Sequence, residues 1–369
     1  MQKKQAVVID VGSSKITAVI AERGINNTFI IKGRCTVAYE GFADGVFLDH
    51  GELDYALKKT VEDISKYSGQ DVDTVYVGVP GEFTKVTVKE SQISFPKKKK
   101  IQLEDLDTLF EAAFVMPSSK YTLISRSAVS YELDDFRRLH NPVGSTSEIL
   151  KGKLSFVLCS NYFIESVVPA IKETGVKKVC CIPTQYAEGM YLFDQEARER
   201  SVLFADIGYI STTITLMQGD GVVYQKSFSY GGGYITASIS EKLGIEFEVA
   251  EKLKRKVNLC SISYKDSFSV LDAEDGNYYP EEDIKRTVLD SLDALCEIIY
   301  EILEEASPLI PDYLPLKVTG GGITCLRGAK EHMSERLCIP VEISAPIVPL
   351  MDKPTESSVL SLLDMALEK

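Results

Sequence analysis

Apolar residues along this chain follow two rhythms: short runs closed by glycine or hydroxyl residues, and longer stretches at helical spacing. Ala6–Asp10 and Lys15–Ala21 are two such runs, and Val11-Gly12-Ser13-Ser14 between them predicts a hairpin turn. Phe29–Ala38 reads as another strand. From Glu52 to Tyr67, the residues Leu53, Ala56, Leu57, Val61 and Ile64 fall on one helical face. Thr74–Val79 is a strand ending at Pro80-Gly81. Tyr162–Glu173 predicts a helix and Lys177–Ile182 a strand, and Pro183 opens a helix running to Phe193. Ser201–Asp206, Thr213–Gln218 and Val222–Phe228 predict a three-strand meander. Gly231-Gly232-Gly233 precedes helices over Tyr234–Leu243 and Glu248–Val257. A long helix spans Glu281–Ala306, a short strand holds Lys317–Val318, and the last helix is Glu356–Leu367.

Between Phe83 and Asn161 the texture changes. Short alternating runs (Lys85–Val88, Ser127–Leu133, Leu154–Cys159) flank one helix from Leu103 to Phe114, with the loop Asn141-Pro142-Val143-Gly144 nearby. This predicts an inserted α/β subdomain, with Lys97–Lys100 as a solvated loop on it.

Bulk properties narrow the function classes. At 369 residues and 44% hydrophobic, the chain can bury several cores rather than one. Its 54 acidic residues against 41 basic ones leave a net charge of −13, which repels phosphate backbones and anionic lipid. No nucleic-acid partner and no direct membrane insertion are therefore expected. The start MQKKQAVVID lacks an apolar leader, and no run approaches a bilayer-spanning length. Eight cysteines without C-x-x-C spacing and three histidines give no structural zinc pattern, so reduced thiols in the cytoplasm are the simple reading. Cys180-Cys181 reads as core packing in a strand.

The chemistry concentrates in two look-alike segments, VVIDVGSSKITAVI (7–20) and VLFADIGYISTTITLM (202–217). Asp10 and Asp206 are 206 − 10 = 196 residues apart, each at the end of an apolar strand with glycine at +2 and hydroxyl residues beyond. Such a repeat reads as an internal duplication. The pair suits a phosphate clamp: small residues let backbone N–H groups approach phosphate oxygens, and Ser13, Ser14, Thr212 and Thr213 offer hydroxyls. Aspartates repel phosphate, so Asp10 and Asp206 fit as acceptors for waters on Mg²⁺. Lys15 supplies a point charge. Thr319-Gly320-Gly321-Gly322 after a strand admits a close approach by a flat or anionic group.

In this order the three elements resemble the actin, sugar-kinase and heat-shock-chaperone superfamily. GFADGVFLD (41–49), VYVGVPG (75–81) and NPVG (141–144) resemble the bacterial cell-division family FtsA more closely, over Ala6 to Leu367. The resemblance implies an α/β fold, actin-like (ribonuclease-H-like), duplicated and two-lobed, with a five-stranded mixed sheet in each lobe. The expected first lobe is 1–82 and 162–198 plus 351–369, with an FtsA- and PilM-type insert at 83–161. The second lobe core is 199–235 and 307–350, with a small subdomain at 236–306. ATP or ADP with Mg²⁺ would lie in the cleft. The implied phosphate loops are Gly12, Ser13, Ser14 and Lys15, then Asp206, Gly208 and Thr212. Gly231 and Gly232 pass under the ribose, and Glu251 and Lys254 bracket the nucleoside. Gly320, Gly321 and Gly322 form the adenosine loop. For Glu251 and Lys254 an ordinary solvated helix face is the competing expectation, from the Glu248/Lys252 and Glu251/Arg255 pairs.

Several positions depart from the family pattern. Tyr209 and Ile210 stand where relatives carry small residues, and are expected to crowd the β- and γ-phosphates. Ile182 stands where relatives place a water-positioning glutamate. Gln185, three residues on, is the remaining polar candidate, with a helix-surface role as its rival. Weak hydrolysis or none follows. The last helix, SSVLSLLDMALEK, has Lys369 as its only base, unlike the amphipathic membrane helix of the family, and is expected to pack on the first lobe. The implied function is a filament-forming or adaptor protein of cell division. It would form actin-like protofilaments and bind the acidic C-terminal tail of FtsZ through Lys252, Arg255 and Lys256, alongside other division proteins. It would be recruited to the inner face of the membrane at the division site. One alternative is a PilM-like adaptor of type IV pilus assembly that binds a partner's peptide in the insert. The other is a small-molecule kinase, for which no catalytic-aspartate motif is found.

Overall fold

The computed structural model describes residues 5–25, 28–68, 72–260, 270–273 and 276–368; residues 1–4 and Lys369, read above, lie outside that set. The first lobe opens with β1 (Gln5–Val11), β2 (Lys15–Arg23) and β3 (Phe29–Ala38), and continues through the small hairpin β4 (Phe42–Ala43) and β5 (Val46–Phe47), α1 (His50–Ser65) and β6 (Thr74–Val79). The insert contributes β7 (Thr84–Lys100), α2 (Leu103–Ala113), β8 (Tyr121–Leu133), β9 (Arg138–Leu139) and β10 (Thr146–Ser160). The chain returns with α3 (Asn161–Lys172) and β11 (Lys178–Pro183), then passes through α4 (Thr184–Leu192) and α5 (Gln195–Arg200). The second lobe holds β12 (Val202–Ile207), β13 (Thr212–Gln218), β14 (Gly221–Phe228), α6 (Gly232–Leu243), α7 (Phe247–Lys256), β15 (Val270–Asp272), β16 (Tyr278–Pro280), α8 (Glu281–Ala306), β17 (Leu316–Thr319), α9 (Ala329–Leu337) and β18 (Val341–Ile343). The last helix is α10 (Ser357–Glu368).

The two principal sheets are copies of one plan. Their strand orders are β11-β6-β1-β2-β3 and β18-β17-β12-β13-β14, with two antiparallel and two parallel pairings in the same places. Register makes the aspartates equivalent: Asp10 pairs with Thr17 and Gly78, Asp206 with Thr213 and Thr319. Strands buried on both faces explain the near-continuous apolar runs. Ile9, Ile16 and Ile20 face α1 and α3, while Ile207, Ile214 and Leu216 face α6 to α9. The other face of the first sheet is covered by α10, whose Leu360, Leu362 and Leu363 meet Ala6, Val8 and Ala187.

The insert is a four-stranded sheet, β7-β10-β8-β9, with Leu109 and Phe110 of α2 packed on Leu150, Leu154 and Phe156. Here one expectation fails. Lys97–Lys100 is no loop: Lys99 and Lys100 pair with Ser147 and Thr146 at the end of a 17-residue strand. That strand is a sheet edge, where lysines discourage pairing with other chains, so its polar pattern concealed its length. Cys180 and Cys181 lie in β11 as expected and are half-buried because it is also an edge strand, with Cys181 packed on the core of the first lobe.

The insert also touches the second lobe. Ser155 Oγ donates to Val222 O (2.6 Å), Asp220 N to Ala128 O (3.1 Å), and Gln225 Nε2 to Thr84 Oγ1 (2.5 Å). At Gly219 (φ +57°) a Cβ would stand 2.2 Å from Val129 O, so only glycine closes this contact.

Candidate functional site

The two hairpin turns meet at the centre of the molecule. Each closes on itself in the same way: Gly12 N donates to Lys15 O (3.0 Å), and Gly208 N to Ser211 O (2.8 Å). Across the gap, Ile210 N and Ser211 N both donate to Ser13 Oγ, at 3.0 and 3.4 Å. Two amides converging on one oxygen form a nest of the kind that holds an anion's oxygen. The GFADGVFLD segment presses on this turn from outside. At Gly41 (φ +90°) a Cβ would lie 2.0 Å from Ser13 O. Tyr39 fixes the same turn, its hydroxyl donating to Gly12 O at 2.8 Å.

Beneath the turns lie three carboxyl groups. Asp10 accepts from Ser358 Oγ of α10 (2.6 Å), and Asp206 from Gln185 Nε2 of α4 (3.2 Å). Glu188, one turn further along α4, has no solvent exposure and no hydrogen-bond partner for either carboxyl oxygen. Thr184 Oγ1 and Gln185 Oε1, on the same face of α4, are likewise buried without partners. Burial raises all three acids. Asp206 is pushed up to about 7 by burial and then by the charge of Asp10. Glu188 is raised well above the carboxylate range by burial and by both aspartates, and burial raises Asp10 despite the Ser358 hydrogen bond. Among the described residues no three such side chains stand close enough to hold a bare metal ion. Acids strained by their own burial, with partnerless oxygens beside them, do fit a hydrated divalent cation, which keeps its waters and reaches carboxylates through them.

The glycine segments of the second lobe pack against one another. Gly232 N donates to Gly208 O (3.0 Å) and Gly322 N to Ile207 O (2.7 Å). A Cβ at Gly232 would stand 2.2 Å from Gly322 O, and one at Gly320 (φ +86°) 2.4 Å from Asp206 Oδ1. On α7, Lys254 is 2% exposed; its ammonium donates to Gly232 O and Thr236 Oγ1, both at 2.8 Å, and pairs with Glu251 at 2.6 Å. Over this group lies the Tyr209 ring, with Lys254 Nζ 5.7 Å from its centre and the Phe247 ring 6.3 Å away at 73°.

The structure therefore brings together Asp10, Gly12, Ser13, Gln185, Asp206, Gly208, Gly231, Gly232 and Gly320 to Gly322. Ser14 is half-buried in the first turn, and Lys15 is exposed beside it. Thr212 does not face the gap: its buried hydroxyl donates to Tyr230 O (2.6 Å), because strand alternation turns it away. Gln185 is 3% exposed and aimed at Asp206, not on the helix surface, and Lys254 is no solvated residue. Tyr209 turns from the phosphate loops toward α6 and α7; Ile210 Cδ1 lies instead beside Gly41. Lys252, Arg255 and Lys256 are exposed on α7, with Arg255 paired to Glu251 (2.7 Å) and Lys256 donating to Asp272 O (2.9 Å). Sequence reading missed Glu188 and Ser358. The signal for Glu188 was present: one carboxylate in an otherwise apolar or small-residue stretch, at i+4 from Thr184 and i+3 from Gln185.

A family model described as "Cell division protein FtsA" matches residues 203–361. FtsA of Borreliella burgdorferi is 22% identical over 94% of this chain and 86% of that protein, and FtsA of Staphylococcus epidermidis is 23% identical over 100% and 80%. The chain is therefore similar to FtsA proteins over nearly its whole length. Among solved structures, the PilM–PilN type IV pilus biogenesis complex superposes with a TM-score of 0.67 at 16% identity, covering 100% of both chains. MreB5 of Spiroplasma citri bound to ADP superposes at 0.54 and 13% identity, over 97% of this chain and 94% of that one. These likenesses agree with the actin-like, duplicated fold expected from the FtsA pattern.

Proposed function

We propose that this FtsA relative is an adaptor of bacterial cell division that takes ATP or ADP with Mg²⁺ between its lobes and assembles into actin-like protofilaments. The observation carrying the nucleotide part is the meeting of the two duplicated turns, where two backbone amides converge on one oxygen above a group of buried acids. A phosphate oxygen fits where Ser13 Oγ sits, with that hydroxyl free to donate to it. Asp10, Asp206 and Gln185 would hold the waters of the cation, whose chemistry is to neutralise phosphate charge. Lys15 would add a point charge at the rim. Glu251, Lys254, Gly231 and Gly232 would border the nucleoside, and Gly320 to Gly322 its base. With Ile182 buried in the core, no glutamate stands in the water-positioning place, so turnover is expected to be slow or absent. The exposed bases Lys252, Arg255 and Lys256 suit an acidic tail such as that of FtsZ.

The test is thermal stability with and without Mg-ATP. Wild type should melt higher with nucleotide, and Asp206→Ala should lose that increment; no response in wild type to any adenine nucleotide would remove the nucleotide part of the reading. Pelleting with ATP tests the filament.

A second reading, a PilM-like peptide adaptor, is favoured by one observation. A groove of about 960 Å³ runs between the insert and the β13–β14 turn, lined by Glu90, Glu132, His140, Lys151, Gln218 and Gly219. Its mixed charges suit an extended polar peptide. Binding of an FtsZ tail peptide against a pilus-partner N-terminal peptide separates the two.

A further inference from the structure

Tyr209 occupies a position that neither the strand scaffold nor the phosphate turn requires. Its carbonyl is fixed, accepting from Gly233 N at 2.7 Å, but its ring lies over the start of α6, where Cε1 would be 3.0 Å from a Cβ at Gly233. That leaves no room for a further group between the glycine segment and the ring. The polar groups around it are also fully engaged. Lys254 has three partners, Gly232 O, Thr236 Oγ1 and Glu251. Glu251 accepts from Thr236 Oγ1 (2.5 Å) and Arg255 Nε (2.7 Å) as well as from Lys254. A ribose or base arriving between α6 and α7 would meet Lys254 and Glu251 already engaged with one another and with Thr236, and an aromatic face already seated on the ammonium. The phosphate end differs, since its amides converge on a single displaceable hydroxyl.

We propose that Tyr209 is a specificity-determining residue of the cleft: its ring stands in for the nucleoside, so the folded protein admits a magnesium-pyrophosphate group readily and a nucleotide only when the ring swings out. This rests on the nucleotide reading above and narrows it to one side chain. Tyrosine suits the role because a single χ1 rotation moves the whole ring, while backbone hydrogen bonds hold the turn in place.

The experiment uses the full chain as wild type, Tyr209→Gly, Tyr209→Ser and Tyr209→Phe, each checked for an unchanged circular-dichroism spectrum. Calorimetry measures binding of Mg-ADP and of Mg-pyrophosphate. Wild type and Tyr209→Phe should bind pyrophosphate at least as tightly as ADP. Tyr209→Gly and Tyr209→Ser should gain tenfold or more for ADP, with pyrophosphate affinity unchanged within twofold. The serine variant guards against misfolding from added backbone freedom. ADP affinity indifferent to residue 209, or ADP and pyrophosphate rising together, would overturn the inference while leaving the nucleotide reading intact. Absence of both ligands from all four proteins would overturn that reading as well.

Discussion

The two hairpins show what a duplicated scaffold keeps and what it releases. In the first, Val11 to Ser14 turns back with nothing larger than serine after the valine, and Ser13 reaches across to the other lobe. In the second, the same five-stranded frame and the same aspartate carry Tyr209 and Ile210, and the tyrosine ring folds onto α7. The strands are held by burial on both faces and cannot diverge cheaply. The turns project beyond the sheet and are held by loops and helices rather than by its strands, so a side chain there changes what the cleft accepts without disturbing the frame.

That contrast can be broken at several points. If the strand frame carries the stability, Phe204→Ala should cost ~3–5 kcal/mol and Ile9→Ala ~2–5 kcal/mol in urea denaturation, both residues being fully buried. Similar losses in the two copies would support equivalent frames. Lys254→Ala strikes only the second copy. It leaves Glu251 and Gly232 O without their ammonium and should cost about 3 kcal/mol by the same measurement; a loss below about 0.5 kcal/mol would mean the buried pair is incidental. Ser13→Ala removes the bond between the copies, leaving two amides unpaired at a cost of ~1–3 kcal/mol, whereas Ser14→Ala should change little.

The remaining effect is on pH dependence. Glu188 and Asp206 bind protons more tightly folded than unfolded, so each favours folding at low pH. Stability should fall as the pH rises from the ordinary carboxylate range toward about 7, by ~1.4 kcal/mol per pH unit for each proton released in that window. Glu188→Gln should flatten this slope; an unchanged slope would show that Glu188 does not titrate there.

Much of this was legible in the chain. The paired aspartate turns, the inserted region's change of texture and the helix over Glu281–Ala306 all followed from short-range pattern, which buried strands and amphipathic helices state directly. The rest depended on distant partners. Lys254 carries the spacing of a solvated helix face, and only the docking of α6 beside α7 buries it. Glu188 stands out in sequence as a lone carboxylate on α4, but its burial appears only once the second sheet covers that helix. The direction of the Tyr209 ring is a rotamer choice set by Phe247 and Gly233, neither adjacent in sequence. The length of β7 was hidden because an edge strand carrying lysines lacks the apolar alternation of a covered one.

The insert's hydrogen bonds to β14 and to the turn before it tie the insert to the second lobe. Rotating the lobes apart would have to break the bonds of Ser155 to Val222 and of Asp220 to Ala128, and Ala128 and Asp220 adjoin Val129 and Gly219 of the groove in sequence. If opening the lobes breaks those bonds, a ligand in the groove and one in the cleft would be linked, and by reciprocity whatever factor one imposed on the other's affinity would be returned in full. Pyrophosphate affinity measured with and without a peptide in the groove reads that factor directly, and a factor of one would mean the two places are independent.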